Sequence, residues 1–288
     1  CTGWSDAVKF GPFEQGDLHD RARLDEVFEK YAPVAVMHFA ALSQVGEAMA
    51  KPGLYWRNNV AGSLTLIEAA CDAGCLNFVF SSTCATYGIP GTVPIDESCP
   101  QYPVSPYGHS KLAFEGMVSW FAKAHGMSPV VFRYFNAAGA SARFGEDHRE
   151  ETHLIPNVLQ VALGKRASVE VFGMDYETPD GSAVRDYVHV CDLAEIHRRA
   201  VERDVEGAFN LGTGRGYSVL EVIEACRQVT GHEIPVTRGQ RRTGDPPVLV
   251  ASSAKAASIL DWAPAADLEE MVQSAWSWHK AHPEGYGD

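Results

Sequence analysis

Tyr107 and Lys111 stand four residues apart in the segment SPYGHSKLAFE, a spacing that places both side chains on one face of a helix. A free tyrosine has a pKa of about 10 and is a poor base at neutral pH. A lysine ammonium one turn away favours the phenolate, and a second nearby cation would favour it further. Since such pairs also occur by chance on ordinary helices, the spacing alone leaves simple packing as the commoner interpretation.

Hydroxyl side chains precede this pair at the end of an apolar run, where Ser81, Ser82 and Thr83 close the segment LNFVFSST. The run predicts a buried strand over residues 76–82. In doubly wound sheets, ligands bind at the carboxyl ends of the strands. A hydroxyl there can bridge a substrate hydroxyl and the tyrosine oxygen, although a polar strand terminus that caps the following turn is the alternative.

The helix that carries the pair has clear end signals. Ser105 and Pro106 suit the N-cap and the first turn, and Gly126 suits the C-terminal stop. The pattern therefore predicts a helix from Ser105 to Gly126.

Strands and helices alternate along the first half of the chain. Apolar runs predict strands over 34–41, 76–82 and 129–136, and a helical pattern over 53–73 precedes the second of them. This order is typical of parallel βαβ units, so we predict an α/β fold with a Rossmann-like, doubly wound parallel sheet.

The amino-acid composition changes after Asn136, where glycine, proline, histidine and acidic residues become frequent. Helices are predicted over 153–164, 192–203 and 218–230, strands over 207–214 and 234–238, and two helices at the end. We expect a nucleotide-binding domain from residues 1–138 plus about 186–216. Residues 139–185 plus 217–288 would form a smaller, interwoven substrate domain.

The bulk composition narrows the function further. The 288 residues are 45% hydrophobic and carry a formal charge of −13, which argues against nucleic-acid and anionic-membrane binding. A few local arginines must then hold any anionic ligand. Seven cysteines without a CxxC pair or zinc spacing predict reduced, mostly buried thiols, no metal site and a cytoplasmic location. No segment is typical of a secretion leader or a membrane span.

Five segments, taken in order, resemble the extended short-chain dehydrogenase/reductase family, and within it the nucleotide-sugar epimerases: SSTCATYG, SPYGHSK, RYFNAAGA, VRDYVHVCDLA and NLGTGRGYSV. The resemblance covers essentially the whole chain. It implies bound NAD and interconversion of UDP-glucose and UDP-galactose by transient oxidation at sugar C4. Tyr107 would take the proton of the 4-hydroxyl, Lys111 would tune the tyrosine and hold the nicotinamide ribose, and Thr83 would bridge the 4-oxygen.

The resemblance also implies a set of cofactor contacts. Asp17 and Leu18 would meet the adenine, and Phe39, Ala40 and Ala41 would let the NAD backbone approach closely. Ser43 stands where the family often has lysine, which would weaken one contact. The remaining cofactor residues would be Asn58, Ser81, Ser82, Tyr107, Lys111 and Tyr134.

The substrate contacts follow in the same way. Arg185 and Arg242 would clamp the diphosphate, because a guanidinium binds phosphate oxygens bidentately. Asp245 would accept from the uridine ribose. At the position of Leu249 a large side chain would close the pocket against an N-acetyl group. Leucine is intermediate in size and leaves acceptance of N-acetylated sugars open, and we expect glucose and galactose substrates. The other substrate contacts would be Thr83, Asn136, His153, Leu154, Glu170, Val171, Phe172 and Tyr187. For Val171 and Phe172, the core face of an edge strand is the alternative.

The glycine-rich phosphate loop that opens this family is missing from the printed sequence, since GTGRG over 212–216 comes too late. We therefore expect that a first β-α-β unit is absent ahead of Cys1. On this expectation the polypeptide binds NAD weakly and is unstable, and stoichiometric NAD in the purified chain would contradict it.

Rival functions remain on the same scaffold. A 4,6-dehydratase would need an Asp-Glu pair after the threonine, where Cys84 and Ala85 stand. A decarboxylase is a second rival, and a non-catalytic sensor of NAD or nucleotide sugars is a third. The family resemblance also implies a homodimer formed through the helices at 53–73 and 105–125.

Overall fold

The computed structural model describes residues 3–203, 205–242 and 244–287. Its main sheet contains four parallel strands in the order β1-β2-β3-β7. Their bounds are Ala35–His38 (β1), Asn77–Thr83 (β2), Ser128–Tyr134 (β3) and Gly207–Leu211 (β7). This arrangement confirms the predicted Rossmann-like fold class.

Helices cover both faces of the main sheet. One face packs on α1 (Arg21–Tyr31), α4 (Ser63–Asp72) and α5 (Pro106–His125), and the other packs on α7 (Val190–Glu202) and α9 (Ala254–Leu260). Strand β2 contributes side chains to both apolar cores because its successive residues point to opposite faces of the sheet. Phe78 and Phe80 belong to the first apolar cluster, and Val79 belongs to the second.

Helix α5 begins and ends where the sequence predicts. Ser105 is its N-cap and accepts the backbone N–H of Gly108 at 3.2 Å. Gly126 ends it in the left-handed conformation with φ of 69°, which glycine adopts without steric cost.

The predicted helix over 53–73 is helical throughout but not uniform. After α2 (Val45–Ala50), it runs as α3 (Pro52–Tyr55), a π-helical stretch (Trp56–Gly62) and α4. Such stretches are frequent at functional sites. Here the stretch carries Asn58 and Asn59.

A second, mixed sheet follows β3. It has the order β10-β6-β4, with β8 antiparallel on β6. The bounds are Asn136–Ala138 (β4), Val184–His189 (β6), Gly216–Ser218 (β8) and Val248–Leu249 (β10). Asn136 therefore begins a strand of this sheet rather than ending the third predicted strand, because the chain passes from one sheet to the other at Phe135.

The remaining elements enclose a further apolar core. Strands β5 (Val169–Phe172) and β9 (Val236–Gly239) form a parallel pair. Helices α6 (Leu154–Ala162), α8 (Val219–Thr230) and α10 (Leu268–Ala281) pack together beside them. None of the helices in the described ranges combines the length and apolarity that a bilayer crossing requires.

The described cysteines are all free thiols, and three of them, Cys75, Cys84 and Cys226, are buried. The expectation that they are mostly buried is thus correct for half of them.

Candidate active site

Tyr107 lies in the first turn of α5, with its phenol beside the Thr83 side chain at the end of β2, and Thr83 favours the ionised form of the phenol. The neighbouring Gly108 permits this contact. A Cβ atom at position 108 would lie 2.5 Å from the carbonyl oxygen of Ala85. Only glycine therefore lets the start of α5 approach the loop after β2 this closely.

Lys111 reaches the same strand end from the next turn of α5. It is 3% exposed, donates to the carbonyl oxygen of Ser81 at 2.7 Å and lies 4.8 Å from the centre of the Phe80 ring. The structure thus brings Tyr107, Lys111 and Thr83 together at the carboxyl edge of the main sheet.

Burial opposes the lowering of the Tyr107 pKa that the sequence predicts for this pair. Burial raises the pKa of Tyr107 to about 12, and burial lowers the pKa of Lys111 to about 7. Lys111 alone does not bring the tyrosine towards neutrality in this environment, because its own ammonium is destabilised by the same burial. An additional cation is needed beside Tyr107.

Ser82 points away from this edge. Its hydroxyl donates to Glu115 at 2.5 Å, and Arg133 binds the same carboxylate with Nη2 and Oε2 2.6 Å apart. Successive strand residues face opposite sides of a sheet, so the Ser82 side chain faces Glu115 rather than the edge where Tyr107 and Lys111 meet, and its predicted cofactor contact stays a prediction. The buried pair Glu115–Arg133 was missed by sequence reasoning.

Two predicted cofactor residues, Tyr134 and Phe39, meet at His197. The Nδ1–H of His197 donates to the Leu193 carbonyl at 2.7 Å, so its Nε2 accepts from the Tyr134 hydroxyl at 2.8 Å. The Phe39 ring lies 4.9 Å from the His197 ring and is largely exposed. His197 was not singled out from the sequence, because a histidine within an amphipathic helix carries no distinctive signal.

The loop after β1 contains Ala40, Ala41 and Ser43 and is held by Asn59. The Asn59 amide accepts the backbone N–H of Leu42 at 2.8 Å and donates to the Leu42 carbonyl at 2.9 Å. Asn58 donates to Asn59 at 3.0 Å. The predicted contact residue Asn58 thus lies beside a buried asparagine that fixes the loop.

Asp17 and Leu18 lie on the segment that leads into α1. The Asp17 carboxylate accepts the backbone N–H of His19 at 2.9 Å, and hydrogen bonds from His19 lower the pKa of Asp17. Leu18 packs against the cluster under α4. Asp17 is exposed, and Leu18 is partly buried.

Most of the predicted substrate residues line a single cleft of about 740 Å³. Those present in its wall are Asn136, His153, Leu154, Glu170, Phe172, Arg185, Tyr187, Arg242 and Asp245. Burial raises the pKa of Tyr187, which keeps this phenol protonated. The cleft is therefore the candidate nucleotide-sugar site.

Two predicted side chains, Val171 and Leu249, do not line this cleft. Val171 is 1% exposed and packs in the core formed by α6, α8 and α10, because it alternates with Glu170 and Phe172 along β5. Leu249 packs with Cys84, Tyr87 and other apolar side chains near the end of β2. The side chain of Val171 is thus a core residue, which is the alternative that the sequence left open, and the predicted contact of this position with a uracil stays a prediction.

The charged residues of the cleft are already in contact with one another. Arg185 Nη2 lies 2.5 Å from Asp245 Oδ1, and the Arg242 guanidinium stacks 4.2 Å from the centre of the Phe172 ring. Asn136 donates one amide hydrogen to the Asp186 carbonyl at 3.0 Å. A diphosphate bound here would compete with Asp245 for Arg185.

Comparison with known proteins agrees with this geometry. Residues 2–212 match the NAD dependent epimerase/dehydratase family. A curated UDP-glucose 4-epimerase of Halalkalibacterium halodurans is 52% identical over 99% of this chain and 87% of its own length. The matches do not establish the expected absence of an N-terminal unit, which stays a prediction.

Solved structures give the same result. A UDP-glucose 4-epimerase from Brucella ovis in complex with NAD has a TM-score of 0.93 and 46% identity, over 96% of this chain and 87% of its own. The enzyme from Bifidobacterium longum in complex with NAD+ and UDP has a TM-score of 0.91 and 39% identity, over 95% of this chain and 84% of its own.

Proposed function

Because the chain belongs to the NAD dependent epimerase/dehydratase family, we propose that it interconverts UDP-glucose and UDP-galactose with NAD as its cofactor. The observation that carries this proposal is the juxtaposition of Tyr107 and Thr83 with the buried Lys111, which donates to the Ser81 carbonyl, at the edge where such sheets bind nucleotides. The names of the relatives supply the substrate and the cofactor.

Lys111 fits the nicotinamide end of NAD. An ammonium has three donor hydrogens, and within the described residues its hydrogen-bond acceptor is the Ser81 carbonyl. Lys111 can therefore donate to ribose hydroxyls without leaving its position. When bound, NAD would supply the redox chemistry, by accepting the hydride of sugar C4 and giving it back to the opposite face of the same carbon.

Three side chains, those of Tyr107, Thr83 and Lys111, act on the reacting atoms. Tyr107 takes the proton of the sugar 4-hydroxyl, and Thr83 holds the reacting oxygen beside the phenol. Lys111 and the positive charge of the oxidised cofactor together lower the pKa of Tyr107 from its present value of about 12. Arg185, Arg242 and Asp245 hold the diphosphate and the ribose in the cleft.

The rival dehydratase activity lacks its acid and base. Burial raises the pKa of the Cys84 thiol to about 12, so this group does not ionise near neutral pH, and Ala85 has no titratable side chain. No described feature favours a second function over epimerisation.

We extend the proposal to location, domain division and assembly. The free thiols are consistent with a cytoplasmic protein. The core of α6, α8 and α10 is separate from the clusters that cover the main sheet, which supports the division into two domains. The exposed Trp56 and Trp120 lie on the helices expected to pair two copies, and this supports a homodimer.

The deciding experiment is an epimerase assay with UDP-galactose and NAD added in excess, so that weak cofactor binding does not hide activity. We expect UDP-glucose to form, and Tyr107→Phe to lower kcat by about 10²–10⁴-fold, the usual contribution of a general base. Epimerisation that survives Tyr107→Phe would refute the base. A folded chain that binds the nucleotide sugar without turnover would instead favour a sensor.

Leu249 packs with Cys84, the residue after Thr83, and this position near the reacting groups leads to a finer expectation about the substrate. A side chain of this size favours UDP-glucose and UDP-galactose over N-acetylated sugars. Comparable turnover of UDP-N-acetylgalactosamine would contradict it.

A further inference from the structure

Four side chains meet in the segment between β4 and α6: Glu146, His148, Glu151 and His153. One ligand atom from each lies within 4.8 Å of the others. The cysteine spacings predicted no metal site, and of these four residues only His153 was singled out from the sequence, as a nucleotide contact. The cluster belongs to no step of the proposed reaction.

Several atoms of the cluster lie near the spacing of ligands around one metal ion, within an overall spread of 4.8 Å. The Nδ1 atom of His148 lies 3.3 Å from Glu146 Oε1 and 3.4 Å from Glu151 Oε2. The Nδ1 atom of His153 lies 3.2 Å from Glu151 Oε1 and 2.6 Å from Glu146 Oε1. Bonds of about 2.0–2.2 Å to a tetrahedral ion separate neighbouring ligand atoms by roughly 3.3–3.6 Å. Two of these four distances already lie in that range and a third is just below it.

The surroundings of Glu151 hold the cluster in place. Its side chain is 5% exposed, and its Oε1 accepts the backbone N–H groups of Thr152 at 2.8 Å and His153 at 2.7 Å. Hydrogen bonds of this kind orient the carboxylates that bind metals. The second oxygen, Oε2, faces His148.

The segment is also anchored at its start. The Trp4 indole donates to the Asp147 carbonyl at 2.9 Å, and the backbone N–H of Gly145 donates to the Tyr286 hydroxyl at 3.0 Å. The four ligands are therefore carried by backbone that is tied to other parts of the molecule, which reduces the entropy cost of assembling them.

We propose that Glu146, His148, Glu151 and His153 bind one divalent transition-metal ion. Two imidazole nitrogens and two carboxylate oxygens in a compact arrangement suit zinc best. The ion fastens the segment to the first turn of α6, where His153 and Leu154 enter the wall of the cleft.

Metal binding is tested directly, independently of epimerase activity. The purified chain is treated with a chelator, which is then removed, and Zn²⁺ and Co²⁺ are titrated in by equilibrium dialysis with elemental analysis. We expect one equivalent per chain and visible ligand-field bands with Co²⁺. His148→Ala should weaken binding at least about tenfold, since even supporting residues around a metal matter by 10–100-fold.

Two further variants sharpen the experiment. Glu151→Gln keeps an oxygen for the backbone N–H groups but loses the anionic ligand, so it should also weaken binding. His125→Ala removes an exposed histidine at the end of α5 and should bind the ion as the unchanged chain does. Absence of saturable binding, or equal binding by His148→Ala and His125→Ala in folded protein, would overturn the proposal.

Discussion

Two arginine–carboxylate pairs in this molecule have the same chemistry and opposite surroundings. Arg133 and Glu115 join β3 to α5 beneath the reactive edge, with side chains 7% and 8% exposed. Arg185 and Asp245 join β6 to the cleft loop, with side chains 12% and 28% exposed. The first pair has the extra partners Tyr87, Gln101 and Ser82.

The difference shows how burial assigns a role to a pair. Separating Arg133 from Glu115 leaves a charge in a region that water does not reach, and this is costly. Arg185 faces a cleft that an anion can enter. Phosphate oxygens can therefore replace Asp245 as its partner without leaving the charge of Arg185 or of Asp245 both unpaired and unsolvated. The buried pair therefore holds the sheet and α5 in register, and the cleft pair can serve a ligand.

The largest expected effect tests the buried pair. Glu115→Ala leaves Arg133 without its carboxylate and should lower the free energy of unfolding by about 3–5 kcal/mol, measured by urea denaturation. Asp245→Asn is the matched control in the cleft and should change it by no more than about 1 kcal/mol. Equal losses would remove the distinction between the pairs.

A second prediction concerns the pH dependence of stability at the reactive edge. Lys111 has a pKa of about 7 in the folded chain and 10.5 when unperturbed. Between these values the unfolded state binds more protons, so the free energy of unfolding should rise with pH, by up to about 1.4 kcal/mol per pH unit. Below about pH 7 both states are charged and the rise disappears.

Lys111→Met should abolish this contribution, because the variant has no proton to release there. The measurement is urea denaturation of both proteins between about pH 6 and about pH 9.5, below the region where Tyr107 titrates in the unfolded chain. Identical slopes would show that Lys111 is not held in the low-dielectric setting that its burial implies.

The smallest predicted effect lies in the cleft. Arg242→Ala should raise the KM for UDP-galactose by roughly 10-fold, since a hydrogen bond to a charged group contributes about 1.5–3 kcal/mol. The kcat should change little, because the diphosphate is bound alike before and during the reaction.

Arg241→Ala is the control for this substitution. It removes the same charge, but the Arg241 side chain bonds Asp175 and stacks on Tyr176, so the KM of this variant should change much less. A similar rise in both variants would point to overall charge rather than to a specific clamp.

The main elements of the fold were predictable because their signals are local. Ser105 and Gly126 mark the ends of α5, and apolar runs mark the three strands. The second sheet was largely missed. Its strands are short, and their pairing with each other depends on contacts distant in sequence, such as Asn136 with Tyr187.

The unexpected directions of two side chains at the site have one physical origin. Ser82 and Val171 were grouped with their sequence neighbours, although alternate residues of a strand face opposite sides. Applying that alternation to β2 and β5 would have separated Ser82 from Thr83 and Val171 from Phe172. The cluster around His148 could not be found from strand alternation, since its members come together only when the segment before α6 is folded.

Gly108 has a consequence for interpreting natural variation. On a helix, alanine is the best-tolerated replacement for glycine and would be scored as benign or even stabilising. Here a methyl group would press on the Ala85 carbonyl and drive the start of α5 outward. A displacement of about 1 Å between reacting groups can cost a factor of about 100 in rate. Gly108→Ala would therefore give a folded protein with reduced turnover, a loss that a measurement of stability would not reveal.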